Sequence, residues 1–439
     1  MQIVPNKEAL RQILVFSLPI IFGQVGLMLI GTGDMIIAGR YSIECLAAIG
    51  LAVAVANPIM ISALGLQFSI APILAQKRGR GEDIKDTFWT IMVYSLMISA
   101  VSCLLTLLST QIVPLFNYDK NLNVIIINYL YITSFSAFGL GIYQAVKEFF
   151  QSQEKTVSAN VVALVGAGFN IFLNFAFVFG KFGFPELKED GLAWASLSIR
   201  MLMAFGLFAF SYKYWKSSWK MDWSLMKSLM KLGLPITLMF FMEIMAFCSV
   251  TLFVGKFDEI QVAANNLALN VGSLAFMIPL SISSAVAVKV GHAYGEKNYP
   301  NLMTYSRVSL FTSFCCTLVV GSLLYLFSHA VAAFYTHDIS VIDWAKKLIF
   351  WVACFQLFDG TQVTLGGILR GLSVTRPASI SIFIGYWLIG IPLGYYLAFH
   401  AGFEAQGFWI GLAISLALVA VMLGAVLKRK LKELGIVST

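Results

Sequence analysis

Residues Lys231 to Lys256 read KLGLPITLMFFMEIMAFCSVTLFVGK, with 24 residues between the two lysines and Glu243, near the centre, as the only charge among them. About 20 apolar residues suffice to cross the hydrocarbon core of a bilayer, so this is a membrane helix with a carboxylate in its middle. A carboxylate at that depth costs roughly 2.5 to 3.5 kcal/mol even on insertion scales. It is therefore expected to serve an ion, proton or substrate site; the plainer role is a protonated or paired group that ties helices together.

The same stretch opens the second half of an internal repeat. At a constant offset of 216 residues, Leu18, Pro19 and Ile20 recur as Leu234, Pro235 and Ile236, and Gly39 recurs as Gly255. Ala47, Ala48, Leu51 and Ala52 recur as Ala263, Ala264, Leu267 and Ala268, and Gly79 as Gly295. Apolar matches arise easily by chance, so the weight rests on Pro and Gly keeping one spacing.

Composition sets the class. With 59% hydrophobic and 12% charged residues, no single soluble core could absorb the apolar surface of 439 residues, and a polytopic membrane protein follows. The net charge of +8 does not indicate nucleic acid, because the basic residues fall in short gaps between apolar runs. The first run is long enough to span and belongs to the repeat, so it is not read as a cleaved signal. Cys45, Cys103, Cys248, Cys315, Cys316 and Cys354 are scattered without metal-ligand spacing, which predicts free thiols and no cofactor.

Apolar runs of spanning length fall near 13–37, 46–76, 87–115, 122–150, 159–180 and 191–213. Six more fall near 231–254, 261–292, 305–335, 341–369, 378–399 and 404–427. The predicted fold is all-α, with twelve transmembrane helices in two six-helix lobes: residues 1–212, a cytoplasmic linker 213–230, and residues 231–439. An even number of spans per repeat makes the two halves parallel. Most Lys and Arg residues, including Arg80, Lys220 and the tail Lys428 to Lys432, lie on one side if the N-terminus is cytoplasmic, which places both termini there. The linker carries Trp215, Trp219 and Trp223 among its lysines and is predicted to be an amphipathic surface helix.

The intramembrane polar residues carry the functional signal. Glu243 lies twelve residues above Lys231, and Asp359 eleven residues before Arg370, so at ~1.5 Å per residue the two share a depth. Two acids at one level cannot both ionise cheaply, as a cation or proton site requires. Phe355 and Gln362 share the face of Asp359, and Phe240 and Phe247 flank Glu243, giving an aromatic wall suited to lipophilic cations; ordinary packing is the competing role for any one Phe. In the first half, Asp34 lies six residues before Arg40, and Asn170 and Asn174 stand one turn apart; together they could surround a cation, although intramembrane asparagines also serve simply as interhelical hydrogen bonds. Arg200, inside the sixth span, needs a carboxylate or carbonyls.

Asp34 in the Pro-x19-Gly frame, NIFLNFAFVFG, LGLPITLMFFMEI, FMIPLSISSAVAVKVG and FDGTQVTLGGILRG together resemble the multidrug and toxic compound extrusion (MATE) family, in its NorM-type bacterial branch, over nearly the whole chain. The resemblance implies a monomeric antiporter of the bacterial inner membrane, with two lobes around a V-shaped cavity. It would export organic cations in exchange for Na+ or H+ and confer antibiotic resistance. Glu243 and Asp359 match the branch's paired C-lobe acids. Asp34, Asn170 and Asn174 match its N-lobe cluster, Ser196 falls where many relatives have Thr, and Na+ is assigned to Asp34, Asn170 and Asn174. Phe355 stands where some sodium-coupled relatives have Tyr, so a hydroxyl ligand is expected to be missing. A lipid-linked precursor flippase of the wider superfamily is the alternative, but it would need cationic groups for a pyrophosphate. An intramembrane enzyme lacks zinc-ligand spacing and a nucleophile elbow, and an ATP-driven pump lacks its phosphate loop.

Overall fold

Apolar runs that end at charged residues, caps or glycines fold into twelve helices long enough to cross a membrane in the computed structural model, which describes residues 6–217 and 219–436. They are α1 (Lys7–Tyr41), α2 (Ile43–Gly79), α3 (Lys85–Phe116), α4 (Lys120–Ser152), α5 (Val157–Phe179) and α6 (Asp190–Phe210). The second set is α7 (Trp223–Val254), α8 (Glu259–Gly295), α9 (Tyr299–Leu326), α10 (Ile339–Gly371), α11 (Arg376–Phe399) and α12 (Ala405–Glu433). No β-strand occurs among the described residues. In a bilayer this is expected, because a helix satisfies its own backbone where no water can. The ninth run is shorter than its apolar length suggests: it stops at Leu326, and a separate helix, Ser328–Tyr335, follows.

Several helices are interrupted. Pro19, Pro58, Pro235 and Pro279 sit inside α1, α2, α7 and α8, each removing a donor from the ladder. α11 contains seven π-helical residues, Ile384–Gly390, between two α-helical segments.

Contacts divide the chain into two units. One comprises Leu18–Arg78 and Glu82–Thr237; the other comprises Met1–Ser17, Gly79–Gly81 and Leu238–Thr439. The divide thus falls inside α1 and α7, next to Pro19 and Pro235, and not at the linear positions 212 and 231. Local packing explains it. Ala9 and Ile13 join a cluster with Ile282 and Val308, and Tyr305 Oη donates to Gln12 Oε1 at 2.7 Å, all within the C-terminal unit. Within the N-terminal unit, Thr237 Oγ1 donates to the Ser62 carbonyl at 3.0 Å, and Gly233 lies against Leu66.

The expected amphipathic linker helix does not form. After α6 ends at Phe210, Tyr212–Tyr214 make one 3₁₀ turn and the described residues up to Asp222 are non-helical. The segment's aromatic rings hold it instead: Trp219 stacks on Trp89 at 4.1 Å and Trp215 on Phe208 at 4.9 Å. Asp222 Oδ1 then accepts the Leu225 N–H at 2.9 Å and starts α7.

In the C-terminal unit, α10 packs on α8, α9 and α12. Small residues allow the approach. A Cβ on Gly371 would lie 2.8 Å from the Ala287 carbonyl, and one on Gly367 would run into Ser283. In the N-terminal unit, α6 packs on α4 and α5, and a Cβ on Gly139 of α4 would lie 2.7 Å from the Arg200 backbone. Of these helices α5, α6 and α10 carry the buried Asn170, Asn174, Ser196 and Asp359.

Candidate functional site

Three helices of the N-terminal unit bring their polar residues together. Asp34 of α1 is 4% exposed, and Asn170 and Asn174 of α5 and Ser196 of α6 are fully buried. Asn174 Nδ2 donates to Asp34 Oδ1 at 2.6 Å and to Asn170 Oδ1 at 3.1 Å, while Ser196 Oγ donates to Asp34 Oδ2 at 2.6 Å. Both oxygens of the carboxylate are thereby occupied. Asn174 Oδ1 and Asn170 Nδ2 are buried with no hydrogen-bond partner. An orphaned acceptor beside a carboxylate suits a hard cation, whose ligands are oxygens. Among the described residues no group of three His, Cys, Asp or Glu side chains could hold a metal, so any cation site here rests on one carboxylate plus neutral oxygens.

Two residues of the same unit complete the cluster. Tyr129 of α4, which the sequence reading missed, is buried, interacts through its hydroxyl with Ser196 and lies in the field of Asp34 and Arg200. Nothing in its apolar run marks it off from other tyrosines. Arg200, one turn beyond Ser196, finds a partner of a different kind from the expected carboxylate or carbonyls: Nη1 donates to Ser136 Oγ at 2.7 Å and lies 3.4 Å from Met60 Sδ.

The C-terminal unit holds the paired acids. Asp359 on α10 lies within the field of Glu243 on α7. Asp359 is 2% exposed and Gln362, one turn on, is 4% exposed; Asp359 Oδ1 and Gln362 Oε1 have no hydrogen-bond partner. Tyr386 of α11 donates its hydroxyl to Glu243 Oε1 at 3.3 Å, and Trp387 Nε1 donates to the Met242 carbonyl at 3.2 Å. The hydroxyl expected to be missing at Phe355 is thus provided beside Glu243 by another helix. Tyr386 was not foreseen; it lies within the π-helical turns of α11, a feature frequent at functional sites.

An aromatic wall stands next to the acids. Phe247 meets Phe355 at 5.9 Å and Tyr386 at 6.2 Å, and Phe355 meets Trp409 at 5.7 Å, mostly edge to face. Trp409 is anchored by its Nε1 on Asn265 Oδ1 at 3.0 Å. Phe240 is half-buried on the turn of α7 before Glu243. Each of the six cysteines is a free thiol.

Comparison with known proteins bears on the family and the fold. A family model described as MatE matches residues 19–176 and 235–396. The Multidrug resistance protein NorM of Vibrio parahaemolyticus is 31% identical over 96% of both chains, and that of Vibrio cholerae 30% over 95% of both. A Probable multidrug resistance protein NorM of Bacillus anthracis is 30% identical, covering 95% of this chain and 94% of its own. Among solved structures, the eukaryotic MATE transporter AtDTX14 superposes with a TM-score of 0.87 at 20% identity, over 97% of this chain and 98% of that one. A MOP superfamily transporter from Pyrococcus furiosus also gives 0.87, at 18% identity over 97% of both chains. Both halves of the repeat are matched in turn, and the fold is shared across most of its length. The chain belongs to the MatE family, whose members are multi-pass membrane transporters and not enzymes.

Proposed function

We propose that this protein is a secondary active multidrug antiporter, exporting organic, mostly lipophilic cations in exchange for Na+ or H+. The observation that carries the reading is the set of buried acceptor oxygens without donors: Asp359 Oδ1 and Gln362 Oε1 within the field of Glu243, and Asn174 Oδ1 beside Asp34. Buried acceptors in this state are costly, and a proton, Na+ or an organic cation would relieve the cost. The edge-to-face rings of Phe247 and Phe355 offer an apolar contact for the body of a lipophilic cation. The names of the relatives, multidrug resistance proteins, support the export of small molecules of several kinds.

Of the two coupling ions, we read Na+ as bound through Asp34, with Asn170, Asn174 and Ser196 as neutral oxygen donors. Glu243 and Asp359 then handle substrate or protons. The charge bias of the loops supports cytoplasmic placement of both termini, and we read the protein as a monomer of the bacterial inner membrane. Transport in proteoliposomes under a Na+ gradient at equal pH, compared with a pH gradient without Na+, tests the reading. The Na+ gradient is expected to drive export, and Asp34→Asn to remove that drive. Export driven by the pH gradient alone and indifferent to Asp34→Asn would overturn the sodium assignment.

A further inference from the structure

An open groove of about 620 Å³ lies where α5 begins and α6 ends, away from both polar clusters. One end of it is polar. Lys155 lines it and is exposed; its one contact, with Gln153 Oε1, is long at 3.5 Å, and among the described residues no carboxylate lies at ion-pair distance from it. Thr156 lines it too and is only 4% exposed, yet its hydroxyl has no hydrogen-bond partner and does not cap α5. The first-turn N–H groups of this 23-residue helix are therefore left open, and its first two residues, Val157 and Ser158, line the same groove. An uncapped helix start carries a partial positive charge and favours an anion.

The corner is fixed before any ligand arrives. Glu154 adopts a left-handed φ of 63°, and the Lys155 N–H returns to the Phe150 carbonyl at 3.0 Å, closing the end of α4. The Glu154 carboxylate would repel an anion, but Arg78 Nη2 lies 3.3 Å from its Oε1 and offsets it. Arg78, Glu154 and Lys155 together leave one positive charge, which suits a monoanion. The other end of the groove is apolar: Val157 and Val161, one turn apart on α5, and Phe210 at the end of α6 are exposed. These residues stand where two spans meet the membrane surface, the depth at which headgroups give way to acyl chains. A free phosphate would not use the apolar wall, and a purely apolar molecule would not use the ammonium and the hydroxyl.

We propose that this groove binds one anionic phospholipid. Its phosphodiester takes the Lys155 ammonium, the Thr156 hydroxyl and the open N–H groups of α5, and an acyl chain lies on Val157, Val161 and Phe210. The site is independent of the export reading, since neither the coupling ion nor the cargo enters the argument. Native mass spectrometry of the purified protein, titrated with dioleoylphosphatidylglycerol or with dioleoylphosphatidylcholine, tests it. The first phosphatidylglycerol is expected to bind about tenfold more tightly than the first phosphatidylcholine, as charge-assisted hydrogen bonds allow. Lys155→Gln and Thr156→Val are each expected to remove most of that preference. Lys181→Gln, which removes an exposed lysine just beyond the other end of α5, is expected to keep it. Monodisperse elution and wild-type melting without added lipid establish that the variants fold, and Lys155 is exposed, so Lys155→Gln decides the matter should Thr156→Val not fold. A wild-type protein that does not distinguish the two lipids, or a loss in Lys181→Gln equal to that in Lys155→Gln, would overturn the site. Displacement of the lipid by an equal concentration of soluble glycerol phosphate would overturn it as well, because the apolar wall would then contribute nothing.

Discussion

At the scale of single residues, two carboxylates within each other's field and one hydroxyl define the chemistry of the C-terminal unit. Glu243 and Asp359 are on different helices, so neither can be replaced by a neighbour. Glu243→Gln and Asp359→Asn are each expected to reduce export of an organic cation to background while yield and monodispersity stay near wild type. Retained export in either variant would reduce that residue to a packing role. Tyr386→Phe removes only the hydroxyl that reaches Glu243 at 3.3 Å. The hydroxyl oxygen offers a neutral ligand beside Glu243, so its removal is expected to lower cation affinity by roughly threefold to tenfold, with the fold intact by thermal melting. An affinity equal to wild type would show that the contact is incidental.

At the scale of elements, helix starts and helix contacts yield separate tests. α7 begins where Asp222 accepts the Leu225 N–H, and that hydrogen bond, helped by Lys77, holds the Asp222 carboxyl below its ordinary value of 3.8. A depressed value in the folded state means that the contribution is complete above pH 3.8 and is lost as the pH falls through the folded value. The side chain is 37% exposed, so solvent screens the ion pair and the cap carries the effect. Asp222→Ala should cost about 1 kcal/mol, seen as a lower melting temperature at neutral pH that converges with wild type in strong acid. The α8–α10 contact is tighter. A Cβ on Gly367 would run into the Ser283 backbone, whereas one on Gly424 of α12 meets nothing within 4 Å. Gly367→Ala is expected to cost about 1 to 3 kcal/mol through overpacking, and Gly424→Ala to leave the melting temperature where it was or raise it. Equal melting temperatures for the two variants would show that α10 can shift without cost.

At the scale of the whole molecule, orientation in the membrane follows from charge bias. Single cysteines at Lys120, Lys188 and Glu404 are expected to react with an impermeant thiol reagent in intact cells, and those at Arg80, Lys155 and Lys220 are not. The background must first lose its six free thiols, of which Cys248 is exposed. Labelling in the reverse pattern would invert the direction assigned to every helix.

The twelve spans, the parallel repeat and the intramembrane positions of Glu243, Asp359, Asp34, Asn170 and Asn174 were legible in the chain itself. Hydropathy is a local property, and a charge inside an apolar run stands out whatever surrounds it. Tertiary structure alone decided the rest. Tyr386 meets Glu243 from a π-helical stretch of another helix, and Arg200 rests on Ser136 and Met60 beside the close backbone approach that Gly139 admits. The boundary between the units falls inside α1 and α7, beside Pro19 and Pro235, where no change of composition marks it. These are cross-helix relations: they depend on how each helix is turned about its axis and how near its neighbours come, and neither is written in the order of apolar and polar residues along one segment.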